Sequence, residues 1–214
     1  MINLQSICDQ LKLTPRTRIE FGAAHPFSQR LGPFIDAGFK CILVEANPRL
    51  YYCLTEGWNM GDFKETWPEL PPKPYEHPGL KGARLSIINA AIVERPGPVT
   101  LYEANASSFV KGVLSPTVVN DGFRETLTTR SYTVPGMTID QFDDGEIDIL
   151  LADVEGSEWW CIKGLRSRPR VIVLELWGQR FTNAYFNDIC GWMVTNNYSF
   201  VGRTETDAVF VRRG

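Results

Sequence analysis

Short apolar runs rich in Ile, Leu and Val recur along the chain, separated by stretches of helical length, and this alternation predicts βαβ units around a parallel sheet. Five runs read as strands: RIEFGA at 18–23, CILVE at 41–45, RLSIINA at 84–90, IDILLA at 147–152 and VIVLEL at 171–176. The last two are almost wholly apolar, as inner strands covered on both faces are. Helices are predicted over 27–37, where Gly38 supplies a stop, over 48–56, where Asn47 caps and Pro48 opens the first turn, and over 157–165, bounded by Pro169. The runs 198–202 and 208–211 read as a hairpin around a charged turn, closing the sheet with an antiparallel C-terminal strand. Residues 1–17 read as a helical extension. PELPPKPYEHPG at 68–79 lacks any period and reads as a stiff surface loop. Short extended pieces at 99–102 and 130–134 surround a stretch containing Ala106, Ser107 and Ser108.

Composition narrows the picture. At 214 residues, 43% hydrophobic and 22% charged, the chain is expected to be one soluble α/β domain with a single core. A net charge of -3 leaves no cationic surplus for a phosphate backbone or an anionic bilayer, so neither nucleic acid nor membrane is an expected partner. A homo-oligomer is compatible with everything in the sequence. The opening MINLQSICDQLKLTPRTR lacks the pattern of a secretion signal, and no apolar run is long enough to span a bilayer, so a cytoplasmic location is expected. Five cysteines without CxxC spacing suggest buried thiols rather than disulfides or a zinc site.

In open parallel sheets the ligand sits beyond the carboxyl ends of the strands, where strand order reverses. That rule selects Glu20, Gly22 and Ala23 after the first strand, Glu45 with Ala46 and Asn47 after the second, Asn89 and Ala90 at the third, Asp153 and Glu155 at the fourth, and Glu175 at the fifth. Glu45 follows Gly22 by 23 residues, close to the spacing at which an acid accepts hydrogen bonds from a ribose diol. The first turn, Gly22-Ala23-Ala24-His25-Pro26, lacks GxGxxG, and Pro26 removes an N–H that a pyrophosphate would use. A nucleoside without phosphates therefore fits better than a dinucleotide. S-adenosyl-L-methionine carries a ribose diol, a sulfonium and an ammonium, which a crevice lined by Glu20, Glu45 and Asp153 complements.

TIDQFDDGEIDILLADVEGSEWWCIKGL at 138–165 strongly resembles the signature of the FkbM-type methyltransferases, and VEANPRLYYCL at 44–54 and INAAIVERPGPVTLYEANASS at 88–108 are similar in the same order. The resemblance implies a Rossmann-like methyltransferase fold, S-adenosylmethionine as donor, and O-methylation of a small-molecule acceptor such as a sugar or natural-product hydroxyl. Where the family commonly has Asp-x-Gly-Ala-Asn-x-Gly, this chain reads Glu20-Phe21-Gly22-Ala23-Ala24-His25-Pro26.

Methyl transfer demands alignment and a destination for the acceptor's proton. Asp153, with Glu155 beside it, is the first candidate and His25 the alternative base. No metal is assigned: Glu175 could join Asp153 on a Mg²⁺, but a third clear ligand is missing. Trp159, Trp160 and Trp177 flank the expected site, as core or as stacking surface. The competing class is a catalytically silent nucleoside-binding module.

Overall fold

The structure is a computed structural model that describes residues 4–13, 17–24, 30–56, 85–104, 107–120 and 130–213. In chain order the first half comprises α1 (Leu4–Gln10), β1 (Thr17–Phe21), α2 (Gly32–Asp36), β2 (Lys40–Glu45), α3 (Pro48–Glu56), β3 (Leu85–Asn89), β4 (Ala91–Ile92), β5 (Gly97–Ala104) and β6 (Ser107–Val110). It continues with α4 (Pro116–Asn120), β7 (Ser131–Met137), β8 (Ile147–Ala152), α5 (Glu158–Ile162), β9 (Val171–Glu175), α6 (Phe186–Thr195), β10 (Tyr198–Arg203) and β11 (Asp207–Arg212).

Seven strands form the main sheet in the order β10-β11-β9-β8-β1-β2-β3. From β3 to β9 all neighbours are parallel, and β11 runs antiparallel between β9 and β10. Strand order reverses at β1, which pairs with β2 on one side and β8 on the other. Phe21 is level with Val44 and with Ala152, so the chain leaves the sheet at Gly22, Glu45 and Asp153 along one edge.

Side chains alternate between two faces, as the pleat requires. Ile19, Phe21, Leu150, Ile172 and Leu174 pack with Cys161 and Ile162 of α5 and Ile189 and Met193 of α6. Leu43, Ile149, Leu151, Val171 and Val173 pack on the other face with Leu4 and Cys8 of α1, Phe34 of α2 and Leu54 of α3. Burial of each such aliphatic side chain contributes about 1.5–3 kcal/mol, which is what fixes the register of the central strands.

β3 leaves the main sheet at Ala90 and passes directly into β4, the start of a second sheet in the order β4-β7-β5-β6. Its small core of Ala91, Leu101 and Val134 places this sheet beyond the carboxyl edge of the first.

The sequence pattern located all seven strands of the main sheet to within two residues of their observed ends. The predicted first strand stops at Phe21 because Gly22 turns away at φ 75°. Of the helix expected over 27–37, Gly32–Asp36 is helical and 25–29 lie outside the described residues; the helix expected over 157–165 spans Glu158–Ile162. The proline-rich loop at 68–79, with His77, also lies outside them. Three features are not in the sequence pattern: helices α4 and α6 and the second sheet.

Candidate functional site

A cavity of about 270 Å³ opens at the carboxyl edge where β1, β2 and β8 end. It is lined by Gly22, Ala24, Glu45 and Ala46 after β1 and β2, by Asp153 to Glu155, Ser157 and Glu175 after β8 and β9, and by Leu101, Ser107, Ser108 and Val110 of the second sheet, which we call its roof.

Glycine is required at position 22. At φ 75° a Cβ would meet the Asp153 carbonyl oxygen at 1.8 Å, inside any allowed contact. The turn is knitted to its neighbours: the Gly22 N–H donates to the Val44 carbonyl at 2.9 Å, and the Asp153 N–H to the Phe21 carbonyl at 3.1 Å. Glu45 is 5% exposed and accepts the Ala24 N–H on Oε2 at 2.8 Å and the Asn47 N–H on Oε1 at 2.7 Å. Burial pushes its carboxyl up to about 7, against those two amides, with the charge of Asp153 adding to the rise. Asn89 supports the same corner by donating from Nδ2 to the carbonyls of Glu45 and Ala46. Asn47 caps α3, accepting the Arg49 N–H on Oδ1, and donates from Nδ2 to Ser108 Oγ at 2.9 Å, tying wall to roof.

The turn after β8 supplies a second part of the lining. Glu155 sits at φ 54° and Gly156 at φ 99°; a Cβ on Gly156 would meet the Leu114 carbonyl oxygen at 2.3 Å. The turn is held from below by Glu158, which is fully buried. Its Oε1 accepts the N–H groups of Val154 at 2.9 Å and Gly156 at 3.3 Å, and its Oε2 accepts Asn183 Nδ2. Burial raises the Glu158 carboxyl to about 8. Glu175, at the end of β9, is raised far above the carboxylate range by burial and then by the charges of Asp153, Glu158 and Glu155. Asp153, its side chain 42% exposed, lies 3.9 Å from the Arg30 guanidinium.

Of the residues expected to contact a cofactor, Gly22, Glu45, Ala46, Ala90 and Asp153 border the cavity, and Glu155 joins them from the expected catalytic set. Glu20 does not. Its carboxylate turns to the other face of β1, where it accepts the N–H groups of Arg30 and Leu31 and pairs with the Arg30 side chain at 3.4 Å. Ala23 is buried behind the turn, while Asn47 and Asn89 act as braces. His25 lies outside the described residues. Trp159, Trp160 and Trp177 pack against the core; Trp160 meets Tyr185 edge-on at 5.1 Å, and none of the three borders the cavity. Sequence reasoning missed Ser107 and Ser108 in the roof, and Glu158 with Asn183 beneath the turn. Glu158 is the last residue of DVEGSE at 153–158, and Ser107 and Ser108 close the family-like stretch at 88–108, whereas Asn183 lies in no such motif.

A large central α/β sheet whose carboxyl edge opens on an acid-rimmed cavity is consistent with a methyltransferase-like α/β fold. The chain belongs to the FkbM methyltransferase family, since the sequence profile described as the methyltransferase FkbM domain matches residues 22–200. Among curated proteins no match to the chain is found. The family assignment agrees with the resemblance carried by the DVEGSE turn, which the structure places at the cavity wall.

Proposed function

We propose that this chain uses S-adenosylmethionine as methyl donor, in a Rossmann-like fold, and methylates a hydroxyl oxygen of a small molecule such as a sugar or natural product. The observation that carries the reading is Glu45, a buried carboxylate on the cavity wall. Its oxygens accept the N–H groups of Ala24 and Asn47, with that of Ala46 also directed at the carboxylate, and a carboxylate with about four acceptor sites keeps room for a further donor, as a ribose diol supplies. The donor's chemistry suits the remaining lining: Gly22 leaves no side chain to obstruct it, and the acidic Asp153 and Glu155 complement its positive groups.

When bound, the donor supplies a methyl group on a cationic sulfur, an electrophile that asks chiefly for alignment. The rigid turns at Gly22 and Gly156 hold Glu45 and Asp153 in the cavity lining. An ordinary carboxylate is too weak a base to ionise an alcohol in advance, so Asp153 or Glu155 takes the proton as the new C–O bond forms. Among the described residues no helix is long and apolar enough to cross a membrane. With the acidic net charge, this supports a cytoplasmic protein acting on small molecules rather than on nucleic acid or lipid surfaces.

Calorimetric titration with S-adenosylhomocysteine tests the reading. Glu45→Ala is expected to weaken binding about 10- to 100-fold, the worth of hydrogen bonds to a charged group. Unchanged affinity in that variant would overturn it. The altered first turn, Ala24-His25-Pro26, favours a second reading as a donor-binding module without turnover. Binding with no methylated product in mass spectra across many acceptors would select it.

A further inference from the structure

Three carboxylates from different points of the chain converge on one wall of the cavity. Asp153 follows β8, Glu175 ends β9, and Glu155 sits within the turn before α5; one oxygen from each lies within 4.8 Å of the other two. Asp153 and Glu175 are close enough to share a hydrogen bond, so a cation that took both would displace the proton between them. The cation beside them is Arg30, 3.9 Å from Asp153, and the same guanidinium also serves Glu20 and Asp207. That one positive charge is thus spread over Glu20, Asp153 and Asp207.

A second observation is independent of the cluster. Ser157 is 2% exposed and borders the same cavity, yet its hydroxyl has no hydrogen-bond partner among the described residues. The Oε2 of Glu175 is likewise enclosed and unpartnered among them. Buried polar atoms in native proteins are nearly always satisfied, and an orphan at a cavity wall marks the place of an ion or a ligand atom.

We propose that Asp153, Glu155 and Glu175 hold one divalent cation of the Mg²⁺ or Mn²⁺ class at this wall, where it meets the acceptor's oxygen. An all-oxygen, all-anionic ligand set selects hard cations and disfavours zinc or copper, which take nitrogen and sulfur. Three monodentate carboxylates leave half of an octahedral shell to water and to the acceptor. The role of the ion in catalysis rests on the proposed methyl transfer, whereas its binding does not. As the acceptor oxygen bonds to the methyl carbon, the S–CH₃ bond breaks with its electron pair staying on sulfur, and the hydroxyl proton, acidified by the cation, passes to a carboxylate or water.

Manganese titration of the full chain, followed by the sharp six-line electron paramagnetic resonance signal of free Mn²⁺, tests the site. The wild type is expected to remove about one equivalent, with Mg²⁺ competing, and Glu175→Gln to bind at least about tenfold more weakly. Glu155→Gln, on the partly exposed turn, is expected to weaken binding in the same way and carries the test if the buried variant does not fold. A free-ion signal undiminished by the wild type, or equal binding in the folded variants, overturns the site. Thermal shift with S-adenosylhomocysteine on the same samples separates the two ideas: stabilisation without Mn²⁺ binding removes the ion alone, and Mn²⁺ binding without stabilisation removes the donor reading alone.

Discussion

The two ends of the central sheet both bury charge, and they do so to opposite effect. At the amino end Arg18 is fully buried in β1, its guanidinium 4.6 Å from the Phe34 ring centre and 4.0 Å from that of Phe39. None of its three nitrogens has a hydrogen-bond partner among the described residues, and burial lowers its pKa. At the carboxyl end Glu45 and Glu158 are also enclosed, yet each carboxylate oxygen meets a donor, and Glu45 borders a cavity. Buried charge held between two aromatic rings, as Arg18 is, is a matter of packing. The cost of burial at the wall of a cavity, as for Glu45, is offset when a ligand supplies hydrogen-bond donors.

The sharpest way to break this contrast is Gly22→Ala. A side chain there adopts a disfavoured backbone region and collides with the Asp153 carbonyl, so the β1 and β8 ends must separate. A loss of roughly 4 kcal/mol or more is expected, together with donor binding, in chemical unfolding and calorimetry. Wild-type stability and unaltered affinity would show that the turn tolerates what its geometry forbids.

The next effect is a divergence with pH. Glu45 and Glu158 have folded-state pKa values of about 7 and about 8, so the folded protein holds protons that the unfolded chain releases near about 4.3. Their contribution to stability is complete at low pH and is lost as pH climbs through those values. Donor affinity runs the other way, because ionised Glu45 is the better acceptor. Melting temperatures from about pH 5.5 to about 8.5, with and without S-adenosylhomocysteine, should therefore draw apart as pH rises. Parallel curves would mean that Glu45 does not grip the ligand.

The smallest effect belongs to the amino end. Arg18→Met replaces an unpaired buried cation by an apolar chain of similar length, and stability is expected to rise by about 1 kcal/mol, with donor affinity unchanged. A large loss instead would show that the two phenylalanine rings outweigh the desolvation of the charge.

How much of this was legible in the sequence differs along the same axis. IDILLA at 147–152 coincides with β8 because an apolar run that short, bounded by turns, has few other uses. The carboxyl-edge rule then reached Gly22, Glu45, Asp153 and Glu155 without any knowledge of contacts. It failed at Glu20, since proximity to a strand end says which edge a residue occupies but not which face: Phe21 and Glu20 alternate, and Glu20 points to Arg30. The roof was hidden for a different reason. Val99, Thr100 and Leu101 pair with Val134, Thr133 and Tyr132, partners about thirty residues away, and nothing local in the chain announces that pairing. Asn183 reaches Glu158 from a loop with no helical or strand period at all.

The position of β11 bears on how such a chain is assembled. It lies between β9 and β10, both of which precede it in the chain, and β10 joins the sheet only through it, so a growing polypeptide that has emerged as far as Arg203 lacks the partner both strands share. Until Asp207–Arg212 pairs, the edge of β9 with its apolar run Val171–Leu174 is bare. A ribosome stalled before that segment would leave a sheet able to recruit a stranger's strand in its place, which makes this interval the natural one for a chaperone to guard.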